Sequence, residues 1–472
     1  MAYYNRRRFL GLTSAATFGA ASGLLGALST HTAAQAADTS GYKALVCIFF
    51  KGGIDNFDTV LPTDQPSFDA MKSVRPDIFR SYGEGSGTSS RDRDNLLELG
   101  GLNGSGGRRF GLPPEMKDLA ALYKAGDMAV VGNVGTLIVP VQRNDVLQQS
   151  KPLPRNLFSH NDQQSVWMSG DLEGLRNGWG ADFVRQAILA DPSNNATFSA
   201  VTATYSDIFL RGGGISQYVA RSGGMQEPRI LTNNTDLGSA SDSAVVKNVL
   251  RRHFASTDTR GDNFLIGDLA KSFEAARDSN EDYFAALSGA LPLSAAFPAS
   301  DLAQQLKVIA ETINVRSALG VGRQVFFANM NGFDTHDAQR DVLPIKQRQF
   351  SEAMGAFQRA MAEMNLSDSV TTFTASDFGR TMQSNGNGTD HGWGNHHFVI
   401  GGAVNGNRIV GDIPDYTVSS PRYTQTASRM IPTISVEQYA ATLGRWFGLN
   451  DAELQSVFPF LGNFDSPYID LF

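Results

Sequence analysis

Three short segments with the pattern of strands, each followed within a few residues by an aspartate, constrain the fold of this chain most. The segments lie at residues 44–50, 323–328 and 370–374, and the aspartates are Asp55, Asp334 and Asp377. The first segment is a continuous apolar run, which is typical of a strand that is buried on both faces of a parallel sheet. We therefore expect the three aspartates to follow the carboxyl ends of neighbouring strands.

Helical periodicity alternates with these strands along the chain. Further strands are expected at 128–132, 197–204 and 397–400, and helices at 114–124, 341–364 and 436–447. Strands that alternate with helices build a parallel sheet with helices packed on both faces. The predicted fold class is therefore α/β, a mainly parallel central sheet sandwiched by helices, with a helical insertion at about 242–320.

Histidine is scarce and clustered. Of seven histidines in 472 residues, four lie between residues 336 and 397, in GFDTH, GTDHG and GNHH. Imidazole and carboxylate are common ligands of divalent metals, and an open α/β sheet places its site beyond the carboxyl ends of its strands. Each motif alone is also explained by a turn or a helix cap. Their concentration favours a shared polar site.

The first 36 residues predict an exported protein. Arg6 and Arg7 are followed by Phe9 and Leu10, then by a weakly apolar stretch rich in alanine and glycine, and Ala34-Gln35-Ala36 offers a cleavage site. This arrangement is that of a twin-arginine signal peptide, and the alternative is a basic helical anchor. The expected partner is the twin-arginine translocase, and the expected location is the periplasm or the cell surface. The expected mature chain, residues 37–472, forms a single domain.

The charge of the mature chain argues against a nucleic-acid partner. Removal of the leader takes away three arginines and no acids, which leaves a net charge of −10. A polyanion would be repelled by such a surface. Cys47 is the single cysteine, so the chain can form no internal disulfide. No stretch of the mature sequence is apolar enough to predict a transmembrane span.

Five motifs resemble the domain-of-unknown-function 1501 family over essentially the whole mature chain. They are GGID at 52–55, SHNDQ at 159–163, NGFDTHDAQ at 331–339, SDFGRT at 376–381 and DHGWGNHHFVIGG at 390–402. The family is grouped with the alkaline phosphatase/sulfatase superfamily. That resemblance implies an alkaline-phosphatase-like sheet with one or two divalent metals at the strand ends.

Carried over by position, the resemblance implies a set of metal ligands. Asp55 follows the first strand, Asp334 and His336 form an aspartate/histidine pair, and His391 or His396 precedes the last strand. Asp377 stands where the superfamily has Asp-His, but Phe378 replaces that histidine, so Asp390-His391 is a candidate replacement. The resemblance does not distinguish zinc, manganese, magnesium or calcium, and one metal is favoured over two.

The resemblance also implies a nucleophile and an anion clamp. Ser159 precedes a helix, where free N–H groups favour an oxyanion; its alternative role is a helix cap. Arg380 is a candidate clamp for phosphate or sulfate oxygens, or equally a structural ion-pair partner. SHNDQ lacks the proline and arginine of the sulfatase formylglycine motif, which argues against that class.

Three hypotheses of function follow. The first is a metal-dependent hydrolase of phosphate or sulfate esters, acting on a small anionic ester or a decorated polysaccharide. The second is a catalytically degenerate metal- or carbohydrate-binding periplasmic protein. The third is an assembly factor for a secreted surface polymer. The missing histidine after Asp377 favours the second hypothesis, whereas Ser159 and the clustered ligands favour the first.

Overall fold

A ten-stranded, mostly parallel sheet forms the centre of the protein in a computed structural model. The structure describes residues 36–83, 90–100, 102–103, 106–170, 177–221, 264–426 and 428–472, and the isolated positions 245 and 249. The strands are β1 (Lys43–Phe50), β2 (Leu61–Pro62), β3 (Leu97–Leu99), β4 (Leu102–Asn103), β5 (Phe110–Leu112), β6 (Met128–Gly135), β7 (Ala200–Thr202), β8 (Tyr218–Val219), β9 (Arg323–Met330), β10 (Val370–Ser376), β11 (Arg380–Ser384), β12 (Thr389–His391), β13 (Asn395–Ile400), β14 (Arg408–Gly411) and β15 (Ile434–Ser435).

Helices cover both faces of this sheet. They are α1 (Gln65–Val74), α2 (Pro76–Gly83), α3 (Lys117–Ala125), α4 (Arg143–Gln148), α5 (His160–Ser169), α6 (Trp179–Ala190), α7 (Ala196–Ser199), α8 (Phe264–Ser288), α9 (Asp301–Asn314), α10 (Gln339–Glu363), α11 (Val436–Phe447) and α12 (Asp451–Val457). Strand order in the sheet is β4-β14-β6-β13-β10-β1-β9-β7-β8, and β15 pairs with β6. Strand β13 runs antiparallel to both of its neighbours, and the remaining pairs are parallel. The predicted α/β fold class is confirmed.

The central strand β1 shows why the sheet needs helices on both sides. Alternate side chains of a strand point to opposite faces. Ala44, Val46, Ile48 and Phe50 pack into a core with α3, α9 and α10. The intervening Leu45, Cys47 and Phe49 pack into a second core with α6 and α11. Cys47 is fully buried there, and burial raises the pKa of its thiol.

The sequence pattern and the structure differ most around residues 197–209. Only Ala200–Thr202 forms a strand, because the Asn195 side chain accepts a hydrogen bond from the Thr197 N–H and starts the short helix Ala196–Ser199. Phe209 lies in a 3₁₀ turn, Ile208–Leu210, not in a strand. Local side-chain capping therefore overrides the strand propensity of this stretch.

The expected helical insertion is seen in its later part, as α8 and α9. Residues 242–263, apart from two isolated positions, and the leader through residue 35 lie outside the described residues. Residues Ala36–Phe472 cluster as one compact unit by their contacts. Within the described ranges, no helix combines the length and the apolar character that a membrane crossing requires.

Candidate functional site

Three neighbouring strands end at the same edge of the sheet and bring the predicted polar residues close to one another. The register pairs Phe50 of β1 with both Met330 of β9 and Ser376 of β10. The loops that follow these strands carry Asp55, Asp334 with His336, and Asp377. Because the strands are parallel and in register, the loops emerge side by side.

His160, from the start of α5, and Asp334, from the loop after β9, lie next to His391 at this edge of the sheet. One ligand atom from each of His160, Asp334 and His391 lies within 4.8 Å of the other two. The Asp334 Oδ2 atom is 3.4 Å from His160 Nε2, and Asp334 Oδ1 is 3.2 Å from His391 Nε2. His160 is the first residue of α5, and His391 ends β12.

His336 and Asp390 complete the cluster on its exposed side. The Nε2 atom of His336 is 3.2 Å from Asp334 Oδ1 and 2.9 Å from His391 Nε2. Its other ring nitrogen, Nδ1, is 3.1 Å from Asp390 Oδ1. The structure therefore brings Asp334, His336, Asp390 and His391 together, four of the residues that the sequence predicts.

The outer ring nitrogen of each histidine faces a hydrogen-bond acceptor. His160 Nδ1 is 2.5 Å from Asp377 Oδ2, and His391 Nδ1 is 2.8 Å from the carbonyl oxygen of Phe158. With the contact of His336 to Asp390, all three Nδ1 atoms are placed to donate. In a neutral imidazole the Nε2 atom then carries the lone pair. If the three rings are neutral, three lone pairs therefore face the Asp334 carboxylate.

This donor set fits a divalent metal. His160 Nε2 is buried and has no hydrogen-bond partner among the described residues. Tetrahedral ligands about 2.0–2.1 Å from zinc lie roughly 3.3 Å from one another. The contacts of Asp334 with the Nε2 atoms of His160, His336 and His391, at 3.2–3.4 Å, match that spacing. Metal-bound histidines commonly donate their other N–H to a carboxylate or a carbonyl, as all three do here.

The electrostatics of the cluster favour an ionised carboxylate between the rings. Partial burial opposes ionisation of Asp334, but the hydrogen bond and charge of Arg380 outweigh burial and lower the pKa of Asp334. The hydrogen bond to Asp377 raises the pKa of His160. Burial lowers the pKa of His391 and so favours its neutral form.

Arg380 holds the strand-end loops together and is fully buried. Its Nη2 donates to Asp334 Oδ1 at 2.5 Å, to the Gly52 carbonyl at 2.5 Å and to the Phe333 carbonyl at 2.9 Å. Its Nε and Nη1 donate to the carbonyls of Gly53 and Thr389. All three nitrogens of the guanidinium therefore donate to acceptors within the chain, and three acceptors share the two N–H groups of Nη2.

Asp55 lies at the same edge of the sheet but its carboxylate turns away from the histidines. One oxygen accepts from Arg75 Nη2 and from Gln339 Nε2, both at 2.7 Å, and the other accepts from the Phe57 N–H. The side chain is fully buried in this network, and burial raises its pKa against the opposing charge of Arg75. The structure does not group Asp55 with the three histidines.

His396 also lies apart from the cluster. It sits within β13, 3% exposed, and its Nδ1 accepts a hydrogen bond from the Asn133 N–H at 3.1 Å. Burial lowers the pKa of His396 to about 3, so the ring is neutral and carries its proton on Nε2. A ring whose only lone pair is already used inside the sheet has no free ligand atom.

Asp377, Phe378 and Ser159 surround His160. The Asp377 carboxylate also accepts from Gln164 Nε2 at 2.9 Å and from the Gly52 N–H at 3.2 Å. The Phe378 ring packs against the rings of His160 and His391, with centroids 4.9 and 4.6 Å away. Ser159 is the N-cap of α5, and its hydroxyl lowers the pKa of Asp162 through a hydrogen bond.

Sequence reasoning missed His160 as a member of the cluster. The sequence predicts Ser159 as a nucleophile or as the cap of this helix and gives His160 no role in the metal site. The sequence feature that could have identified His160 is its position directly after Ser159. The family resemblance implies that this end of the helix lies at the active site. The side chain of the first helical residue, His160, reaches the Asp377 carboxylate, while the cap itself faces Asp162.

Comparisons with solved structures find distant similarities over most of the chain. One is the crystal structure of Ps i-CgsB in complex with k-i-k-neocarrahexaose, with 8% identity, 90% of this chain and 77% of that chain covered, and a TM-score of 0.35. Another is the zinc complex of the C-terminal periplasmic domain of EcEptC from Escherichia coli, with 10% identity, 88% and 85% coverage, and a TM-score of 0.27.

A comparison with curated proteins finds no match. The family model described as "Protein of unknown function (DUF1501)" matches residues 42–458. That range contains every strand of the central sheet and every histidine of the cluster. The chain belongs to the DUF1501 family.

Proposed function

We propose that the protein is an exported, metal-dependent hydrolase of phosphate or sulfate esters. One observation carries the proposal: the Nε2 atoms of three histidines converge on the Asp334 carboxylate, and each Nδ1 is held by an acceptor. An acceptor at the outer ring nitrogen holds the orientation and the tautomer in which a histidine binds a metal. The substrate is a small anionic ester or an ester-decorated polysaccharide.

The proposed ion is a single divalent transition metal held by His160, Asp334 and His391, with His336 beside them. Imidazole-rich sites suit zinc and its neighbours, whereas magnesium and calcium prefer sites made of oxygen ligands. When bound, such an ion supplies Lewis-acid stabilisation of the negative charge that develops on the ester. The Phe378 ring against His160 and His391 fills the position from which a further histidine ligand would come.

The chain's own residues orient the reaction. Asp377 fixes the ring of His160, and Arg380 fixes the carboxylate of Asp334. We assign the nucleophile to Ser159, whose hydroxyl lies at the N-terminus of α5 next to His160. As the serine oxygen bonds to the phosphorus or sulfur atom, the bond to the ester oxygen breaks and the alcohol leaves with the hydroxyl proton; water then releases the phosphate or sulfate from the serine. The helix N-terminus favours the negative charge of the transferred group.

A binding protein without hydrolytic activity is the second candidate. Two observations favour it: Phe378 replaces a ligand position of the superfamily, and Arg380 is fully buried with all three of its nitrogens donating to acceptors within the chain. A site with one metal and no clamp at Arg380 would still bind an anionic ligand. Turnover separates the two candidates.

The test measures metal content and turnover on the mature chain, residues 37–472. Elemental analysis is paired with an aryl phosphate, an aryl phosphodiester and an aryl sulfate as substrates. We expect one transition metal per chain, and turnover of at least one ester that a chelator abolishes and the metal restores. Metal binding with no turnover of any ester supports the binding protein. Absence of metal contradicts both candidates.

A further inference from the structure

The proposed hydrolase needs a cation that holds the oxygens of the substrate, whereas Arg380 is fully buried and each of its nitrogens donates to an acceptor within the chain. A second arginine, Arg429, lies beside the cluster in the loop between β14 and β15. Its Nε donates to the carbonyl oxygen of His391 at 2.7 Å, and its Nη1 is 3.5 Å from the carbonyl of Thr426. Arg429 is thus attached directly to a residue of the proposed metal site.

The guanidinium of Arg429 lies over an aromatic ring. Its Cζ lies 4.2 Å from the centroid of Phe158. The carbonyl oxygen of the same residue, Phe158, faces Nδ1 of His391. Arg429, Phe158 and His391 therefore form a closed set of contacts at the rim of the site. The contact with the ring and the bond to the His391 carbonyl restrict the side chain of Arg429 before any ligand binds.

Donors of Arg429 remain available in that position. Among the described residues, its Nη2 has no hydrogen-bond partner, and its Nη1 makes only the long contact to Thr426. Partial burial raises the pKa of Asp390, but hydrogen bonds from Asn385 and His336 and the positive charge of Arg429 lower it, so that charge reaches the cluster. A half-buried cation with unused donors beside a metal site is suited to a bound anion.

We infer that Arg429 binds the tetrahedral oxyanion of the substrate, the phosphate or sulfate group, through its Nη atoms. This inference rests on the proposed function, and it assigns substrate recognition to Arg429 in place of Arg380. Guanidinium offers two parallel donors to two oxygens of such a group, whereas ammonium offers a point charge. The side chain acts on binding, not on the metal.

A purely structural role for Arg429 predicts different behaviour. If the stack on Phe158 only held the loop, replacement would disturb His391 and lower the metal content. If Arg429 binds substrate, replacement raises Kd and KM while metal content stays as in the wild type. The loss of one hydrogen-bonded charge pair corresponds to roughly 10- to 100-fold in affinity.

The experiment compares wild type, Arg429→Gln and Arg429→Lys in the metal-loaded mature chain. Isothermal titration with inorganic phosphate and with inorganic sulfate gives Kd for each anion, and ester kinetics give KM and kcat separately. The matched control is Arg445→Gln, because Arg445 also stacks on an aromatic ring, 4.5 Å from the centroid of Tyr468, but lies on α11. The two anions show which oxyanion the site prefers.

We expect Arg429→Gln to weaken anion binding about 10- to 100-fold, Arg429→Lys to recover part of it, and Arg445→Gln to match wild type. Unchanged anion affinity in Arg429→Gln, loss of metal in that variant, or a wild type that binds neither anion would each overturn the inference. A different result would show that the proposed function is wrong, namely a wild-type chain that binds no metal. Anion binding that still depends on Arg429 in such a chain would leave this inference standing.

Discussion

The Nε2 atoms of His336 and His391 lie 2.9 Å apart, although the Nδ1 atom of each ring already faces an acceptor. If both rings are neutral, two lone pairs oppose each other at that distance, which is repulsive. Either one ring is protonated or a cation lies between the rings and Asp334. Burial lowers the pKa of His391, which disfavours its protonation. A cation between the rings and Asp334 is the arrangement that the proposed function predicts.

Replacement of Asp377 by asparagine tests the orientation of His160. Asparagine keeps the size of the side chain, but it offers one acceptor oxygen in place of two and removes the charge that faces His160 Nδ1. Loss of such an outer acceptor typically costs 10- to 100-fold in metal affinity. We expect metal affinity, measured by competition with a chelator, to fall by about that factor.

The matched control for Asp377 is Asp337→Asn, in the loop that carries His336. The Asp337 carboxylate accepts from the Ala338 N–H and from Asn387, and contacts no histidine of the cluster in the described structure. Equal metal affinity in the two variants, with both folded by circular dichroism, would show that Asp377 does not position His160.

Ser159→Ala tests the nucleophile. Removal of the hydroxyl leaves the imidazole of His160 and its bond to Asp377 unchanged, so metal content should match the wild type. Turnover should fall by about 100-fold or more, the scale of losing one key catalytic group. Ester kinetics and metal analysis on the same preparation provide the measurement. An alanine variant as active as wild type would remove Ser159 from the mechanism.

Glu437 gives the protein a pH-dependent stability that is separate from the site. The side chain lies in the first turn of α11, 4% exposed, and its Oε2 has no hydrogen-bond partner among the described residues. Burial raises its pKa to about 8, against an ordinary value of 4.5. The native state therefore keeps a proton that the unfolded chain releases, and stability falls as the pH rises between these values.

Glu437→Gln should abolish that loss. Relative to wild type, the variant's free energy of unfolding should gain about 1.4 kcal/mol per pH unit between pH 5 and 8 and then level off. Urea unfolding at several pH values measures the gain. Glu281→Gln, at an exposed position of α8, is the control. A constant difference between Glu437→Gln and wild type across this range would contradict the assignment.

Export through the twin-arginine route remains a prediction of the leader sequence. Replacement of Arg6 and Arg7 by lysine should hold the precursor in the cytoplasm, because that pathway reads the arginine pair. Fractionation of cells that express the full chain, with immunodetection of the precursor and mature forms, measures the effect. Normal export of the double variant would refute the route.

The strands of the site were predictable because their pattern is local. The strands predicted at 44–50 and 370–374 correspond to β1 and β10, and the aspartates follow them as expected. Pairing in register then brings distant loops together, which the sequence signals only through the order of its elements. The concentration of histidines at 336–397 pointed to the same edge of the sheet.

The orientation of individual side chains was not predictable in the same way. Asp55 and Asp334 both follow a strand, but Arg75 and Gln339 hold the first within a buried network. Arg75 lies 20 residues further along the chain and Gln339 far beyond it, so no local motif signals this competition. Similarly, only the packed structure shows that carbonyl oxygens surround the guanidinium of Arg380. It also shows that Arg429 keeps donors that no described residue uses.

Metal content of the mature wild-type chain and of His391→Ala tests the account most directly. After loading with zinc and removal of excess ion, elemental analysis should give one metal per wild-type chain and less than a tenth of that in the variant. His391 lies 22% exposed at the rim, so alanine there should leave the fold intact, as circular dichroism would verify. Equal metal content in both folded proteins, or none in the wild type, would contradict a metal site at His160, Asp334 and His391.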